Sequence, residues 1–225
     1  MKPYYERDGI TIFLGDCREI LPSIKADCVV TDPPFGVGLG ETSGTGGEHG
    51  LSIGAYASYS DTYEEYCNVV VPIIRACVEM FPRVGCFIGP HIHELPKPDA
   101  IGGVFNPAAS GRHQWGYKNF LPFLLYGSAP DLHLGAKVPT AIHSTVQTEK
   151  NGHPCPKPVQ WMKWAVCLVS RPGETILDPF MGSGTTLVAA KLEGRRAIGV
   201  EIEERYAEIA AKRLAQGVLP FEALR

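Results

Sequence analysis

Residues 175–186, Thr-Ile-Leu-Asp-Pro-Phe-Met-Gly-Ser-Gly-Thr-Thr, constrain this chain more than any other stretch. An apolar run closes on Asp178, a turn bearing Gly182 and Gly184 follows, and residues 185–192 carry the pattern of a helix. A buried strand, a tight turn and a helix N-terminus together aim backbone N–H groups at one point, an arrangement suited to a nucleotide-like ligand. Glycine serves such a turn because a Cβ would block close approach or a positive φ. The dinucleotide fingerprint asks for Gly or Ala where Leu187 stands, and the P-loop's Gly-Lys-Ser/Thr is absent. The next strand, Arg196-Ala-Ile-Gly-Val200, ends at Glu201. That acid either takes the ribose hydroxyls of an adenosine group or sits solvated at a strand tip.

A second stretch is as stiff as the first is tight. The strand 26–31 runs into Asp32-Pro33-Pro34-Phe35, where two rings fix φ and push the preceding residues extended. Neither proline donates, so the Asp32 carboxylate and the Pro33 carbonyl are acceptors with an aromatic face beside them. This suits a planar amino group on a ring: the acceptors hold the NH₂ and Phe35 stacks the ring. Before it, a strand over 9–14 leads through Gly15 to a short helix from Cys17. Asp16 is either that helix's N-cap or an acceptor for the amine of a bound adenine.

Between these poles the pattern is uneven. Residues 36–60 are rich in Gly, Ser and Thr and read as a mobile loop beside the site. Apolar spacing predicts helix over 61–80 with a break at Pro72, then a strand over 86–89. His91-x-His93 lacks further ligands at matching spacing, so no metal is expected. From about 90 to 151 the pattern weakens, apart from a strand over 120–126. Within it Arg112, Trp115, Tyr117 and Lys118 mix cations with aromatics, a composition that tracks phosphates and stacks bases. His153-Pro-Cys-Pro-Lys157-Pro158 is a rigid lead into a helix over 159–170, with Trp161, Trp164, Ala165 and Leu168 on one face. His153 and Lys157 either hold a ligand carboxylate or belong to a proline-stiffened cap.

Taken together, the diproline tetrapeptide, the His153/Lys157-Pro158 segment and the late Asp178-Pro-Phe-x-Gly-x-Gly-Thr-Thr resemble the DNA amino-methyltransferases (N6-adenine or N4-cytosine) of the β arrangement. The likeness spans roughly residues 9–35, 61–89 and 153–216. It implies an α/β fold, a circularly permuted methyltransferase domain over 1–225 with a Rossmann-like, seven-stranded mixed sheet flanked by helices. S-adenosylmethionine is the implied cofactor and double-stranded DNA the implied partner. By motif, Asp32, Pro33, Pro34 and Phe35 are catalytic. Asp178 and the turn Gly182, Ser183, Gly184 take the methionine portion, Glu201 the ribose, Asp16 and the Cys17 backbone the adenine, with Phe180 and Thr185 also among the cofactor-binding residues. His153, Lys157 and Pro158 lie near the cofactor's amino-acid end, and the recognition region falls in the 36–60 loop and about 90–151. Asp at the head of the tetrapeptide leans towards adenine. The winding agrees independently: read from 175 through the C-terminal segment and on into residue 9, strands and helices alternate unbroken.

Composition bounds the rest. A length of 225 residues suits one α/β domain, and no apolar run reaches eighteen residues, so no membrane span is expected. The first residues have no apolar core of a signal peptide. Seven cysteines without C-x-x-C spacing read as reduced thiols of a cytoplasmic protein. The net charge of −3 confines any basic surface to a local patch and raises the expectation of help from a second subunit, a homodimer. An RNA or protein-amide methyltransferase shares the diproline loop but usually keeps it after the cofactor loop. A catalytically silent binding module and a nicotinamide-dependent oxidoreductase are the remaining alternatives.

Overall fold

The computed structural model describes residues 2–38, 60–108, 112–130, 138–146 and 156–216. In chain order the strands are β1 (Tyr5–Arg7), β2 (Ile10–Leu14), β3 (Cys28–Thr31), β4 (Arg83–Phe87), β5 (Ala100–Phe105), β6 (Arg112–His113), β7 (Gly116–Tyr117), β8 (Phe120–Gly127), β9 (Ala141–His143), β10 (Thr175–Asp178) and β11 (Arg196–Glu201). The helices are α1 (Cys17–Ile20), α2 (Tyr63–Glu65), α3 (Val71–Met80), α4 (Val159–Val169), α5 (Thr185–Leu192) and α6 (Glu204–Ala215).

One mixed sheet has the order β1-β2-β11-β10-β3-β4-β8-β5-β9. Its centre, β2 to β4, is parallel, as the winding through the C-terminal segment requires. The strands are apolar on both faces because both are covered. Ile10, Ile12, Cys28, Val30 and Ile176 pack under α4, α5 and α6, while Val29, Leu177 and Val200 pack under α1 and α3. On α4 the expected inner face holds, with Trp161, Trp164 and Ala165 buried and Leu168 half-buried.

The sheet has nine strands, not the seven expected. Three-residue strands extend both edges. β1 returns on β2 through Asp8 and Gly9, both at positive φ, the tight turn that suits a hairpin. β9 lies parallel to β5. Segments this short carry no periodic signal. The helix expected over 61–80 forms in pieces: α2, a π turn over Tyr66–Val70, then α3. Pro72 has no N–H for the preceding turn and its ring crowds the carbonyl behind it, so the ladder widens just ahead of it. No helix among the described residues is long and apolar enough to cross a membrane.

Strand direction decides what shares a rim. β8 is antiparallel to β4, β5 is antiparallel to β8, and β9 is parallel to β5. The start of β8 and the ends of β5 and β9 therefore lie on the same edge of the sheet as the carboxyl ends of β2, β3, β10 and β11. Ligands of open α/β sheets bind along that edge.

Candidate active site

β3 and β10 are neighbours, and each delivers one of the two motifs at its carboxyl end. Asp178 joins them. Its Oδ1 accepts from Thr31 Oγ1 at 2.7 Å and from the Phe180 N–H at 3.1 Å, and its Oδ2 accepts from the Thr186 hydroxyl. Burial pushes this carboxyl up to about 6 in spite of those three donors. Asp178 thus fixes the floor of the site, tying the strand before the diproline loop to the first turn of α5.

The glycine turn is held from both sides. Glu201 at the tip of β11 accepts the Gly182 N–H at 3.0 Å and the Glu203 N–H at 2.9 Å. Burial raises its carboxyl to about 7. From behind, Arg213 near the end of α6 donates to the Ser183 carbonyl and to Thr185 Oγ1. Gly184 caps α5 at φ +77°, and a Cβ there would lie 2.7 Å from the Ala210 Cβ. Leu187, which breaks the dinucleotide fingerprint, is wholly buried, and the space it fills is opened by Gly199 on the strand opposite. The small residue that lets helix approach sheet has moved from α5 to β11.

The diproline loop is fixed as firmly. Lys157 Nζ donates to Asp32 Oδ2 at 2.7 Å and lies 5.0 Å from the centroid of the Phe35 ring. Asp32 Oδ1 is buried with no hydrogen-bond partner among the described residues. Burial raises the Asp32 carboxyl while the Lys157 charge and hydrogen bond pull it back. The Phe35 side chain lies over the backbone of Gly89, where a Cβ would come within 2.8 Å of it. Beyond it the buried Asp61 accepts the N–H groups of Gly36 (2.8 Å) and Val37 (3.3 Å), and His91 Nε2 sits 3.2 Å from the Gly36 carbonyl. Asp61, Thr31 and Arg213 escape sequence reading because each meets its partner only through the tertiary fold. An acid just ahead of a helix start reads as a cap and nothing more.

Both loops line one cleft of about 290 Å³, together with Gly15, Asp16 and Cys17 from the end of β2. Asp16 caps α1, accepting the Arg18 N–H at 2.9 Å and pairing with the Arg18 guanidinium, so its structural role is realised. Burial holds the Cys17 thiol up at about 12, neutral, as a wall of the cleft. Among the described residues, six carboxyl residues (Asp16, Asp32, Glu65, Asp178, Glu201, Glu203) and two cations (Arg18, Lys157) line the cleft. Such a surplus suits a cationic ligand and repels a diphosphate. Pro158 caps α4 beside Lys157. Of the remaining candidates, His153 and most of the 36–60 loop lie outside the described residues. Arg112 is on β6, while Trp115 and Tyr117 on the β6–β7 hairpin are strongly exposed, with Lys118 exposed beside them. That hairpin leads directly into the start of β8 on the active rim. There Phe120, Phe105 and His143 stand in register on adjacent strands, the last two rings stacked at 5.7 Å.

Comparison with known proteins finds the same relatives that the motifs resemble. The family model N6_N4_Mtase, DNA methylase, matches residues 109–212. The Type II methyltransferase M2.LlaDCHI of Lactococcus lactis subsp. cremoris is 25% identical over 257 aligned positions, covering 96% of this chain and 93% of the relative. Among solved structures, the M1.HpyAVI–SAM complex superposes with a TM-score of 0.62 at 21% identity, covering 92% of this chain and 99% of that one. The PvuII DNA methyltransferase (cytosine-N4-specific) superposes at 0.66 and 17% identity, covering 99% and 92%. The fold is that of these solved structures, and the likeness to the Type II methyltransferase extends over nearly the whole chain.

Proposed function

We propose that this chain is an S-adenosylmethionine-dependent DNA methyltransferase that methylates the exocyclic amine of a flipped base, adenine N6 in preference to cytosine N4. One observation carries the reading: Asp32, with a carboxylate oxygen that has no partner among the described residues, lines the same cleft as the glycine turn. The acid surplus of that cleft fits a cofactor carrying a sulfonium and an ammonium group. By motif, Glu201 would hold the ribose, Asp16 the adenine and the turn 182–184 the methionine portion.

When bound, the cofactor supplies an already activated methyl group. The acceptor is the difficulty, because an aryl amine's lone pair is delocalised into its ring. Hydrogen bonds from that NH₂ to Asp32 Oδ1 and the Pro33 carbonyl favour the pyramidal nitrogen and aim its lone pair, a case of electrostatic preorganisation joined to positioning. Pro33 and Pro34 keep those acceptors stiff. A base inside a duplex cannot reach the cleft, so it is extruded and stacks on Phe35. The exposed rings of the β6–β7 hairpin (Trp115, Tyr117) and of the sheet's rim (Phe120, Phe105), with Lys118, form the surface that meets the duplex, and Arg112 on β6 is part of the same segment. A second copy of the chain would enlarge that surface; a monomer by light scattering under assay conditions removes this element alone.

Asp32 at the head of the tetrapeptide supports adenine over cytosine. The test is methyl transfer from labelled S-adenosylmethionine to duplex DNA, followed by nucleoside analysis. N6-methyl-2′-deoxyadenosine is expected, N4-methyl-2′-deoxycytidine would correct the base, and label appearing in RNA or protein offered in parallel but not in DNA would overturn the reading.

A further inference from the structure

Lys157, expected from its motif near the cofactor's amino-acid end, sets its ammonium on the diproline loop that shares the cleft. It bonds Asp32 Oδ2 at 2.7 Å, with both side chains largely shielded from solvent, and its charge lies over the Phe35 ring. The two residues are 125 positions apart, so the pairing is a tertiary feature. A carboxylate bound by one fixed donor cannot rotate freely, and here the fixed oxygen is Oδ2. Oδ1 is the oxygen left buried, with no partner among the described residues. An unpaired buried acceptor costs stability unless function uses it.

We propose that Lys157 is a positioning residue for Asp32, holding one carboxylate oxygen so that the other meets the amine as an ionised acceptor. This rests on the methyltransferase reading. As the nitrogen–carbon bond forms, the carbon–sulfur pair leaves with sulfur and the nitrogen becomes cationic and acidic. One N–H bond then breaks and its proton passes to Asp32 Oδ1, from which water removes it. A neutral Asp32 could accept neither as well. The groups around Asp32 make its ionisation depend on Lys157. Asp178 on β10 and the buried Cys86 on β4 interact with it electrostatically, and as carboxylate and thiol neither can supply a positive charge. Burial alone drives the carboxyl towards its neutral form.

The experiment compares wild type, Lys157→Met and Lys157→Arg in the full chain. Lys157→Met is expected to lower kcat about 10²-fold, the scale of losing one preorganised polar group. The KM for S-adenosylmethionine stays within about twofold, and the acid limb of the kcat–pH profile moves up by about one unit or more. Lys157→Arg keeps the charge and recovers most of the rate. A raised KM for S-adenosylmethionine with kcat and the acid limb unmoved would return Lys157 to the cofactor's carboxylate and overturn the proposal. Carbon-13 titration of the Asp32 carboxyl in ligand-free protein is independent of turnover. An upward move in Lys157→Met supports the pairing, and an unmoved titration overturns it even if wild type methylates no DNA, the result that would instead sink the functional reading.

Discussion

Thr31 and Asp178 stand 147 residues apart in the chain and 2.7 Å apart through Oγ1 and Oδ1. This bond sits between two parallel strands at the level where one releases the diproline loop and the other the glycine turn. Thr31→Val keeps the shape and removes the donor. Asp178 is then a buried carboxylate with one partner fewer, and the expected cost is about 1–3 kcal/mol. Denaturant unfolding reads it directly. A variant as stable as wild type would mean the strands keep their spacing without this bond.

Gly184→Ala tests the turn. The residue sits at φ +77°, and the new Cβ would lie 2.7 Å from that of Ala210 on α6. Strain and overpacking act together, so a loss of about 1–3 kcal/mol is expected, with weakened S-adenosylmethionine binding because α5 must tilt away. Calorimetric unfolding and binding measure the two effects separately.

The parallel half of the sheet was legible because each strand is an apolar run closed by an acid or a glycine, as with Asp178, Glu201 and Gly15. The circular order followed from reading those strands as one winding. The region 90–151 was opaque for a physical reason. β5 reads Ala-Ile-Gly-Gly-Val-Phe, and its two glycines are there because Thr140 O and the Phe120 ring approach so closely that any Cβ would collide. The constraint that writes the sequence is therefore a tertiary neighbour, invisible to local pattern. The partners of Lys157 and Asp61 stayed hidden likewise: a motif names a residue, and only the packed chain shows which atom it touches.

Asp32→Ala removes the proposed acceptor. Turnover on DNA should fall about 10²-fold or more, with S-adenosylmethionine affinity largely kept because the glycine turn and Glu201 are untouched. Single-turnover kinetics separates the chemical step from release. Near-normal methyl transfer would take Asp32 out of the mechanism.

Asp61 is predicted to act on the same step from further away. Its carboxylate accepts the Gly36 and Val37 N–H groups, so it fixes where the tetrapeptide ends. Asp61→Ala removes the acceptor of the buried Gly36 N–H, at about 1–3 kcal/mol of stability. The loop then loosens, and kcat should drop about tenfold or more, since small misplacements of a positioned group are costly. Equal loss of affinity for S-adenosylmethionine would show instead that the whole cleft had collapsed.

pH should expose two of the buried carboxyls that line the cleft. Asp178 is raised from 3.8 to about 6 and Glu201 from 4.5 to about 7. Above pH 5 the ligand-free folded chain therefore retains protons that the unfolded chain has released. Linkage then makes stability fall as pH climbs from about 5 to 7, the reverse of ordinary acid denaturation, by a few kcal/mol in all. Glu201→Gln should flatten the upper half of that slope. A cation entering the cleft favours the ionised carboxylates and lowers both values, so binding expels protons. S-adenosylmethionine affinity should accordingly rise between about pH 5.5 and 7.5. At pH 6.5 its calorimetric heat should differ between buffers of unequal ionisation enthalpy, with the sign of proton release. Proton uptake, or a heat independent of buffer, would mean the cofactor's positive charge does not settle over Asp178 and Glu201, and the acid surplus of the cleft would then need another explanation.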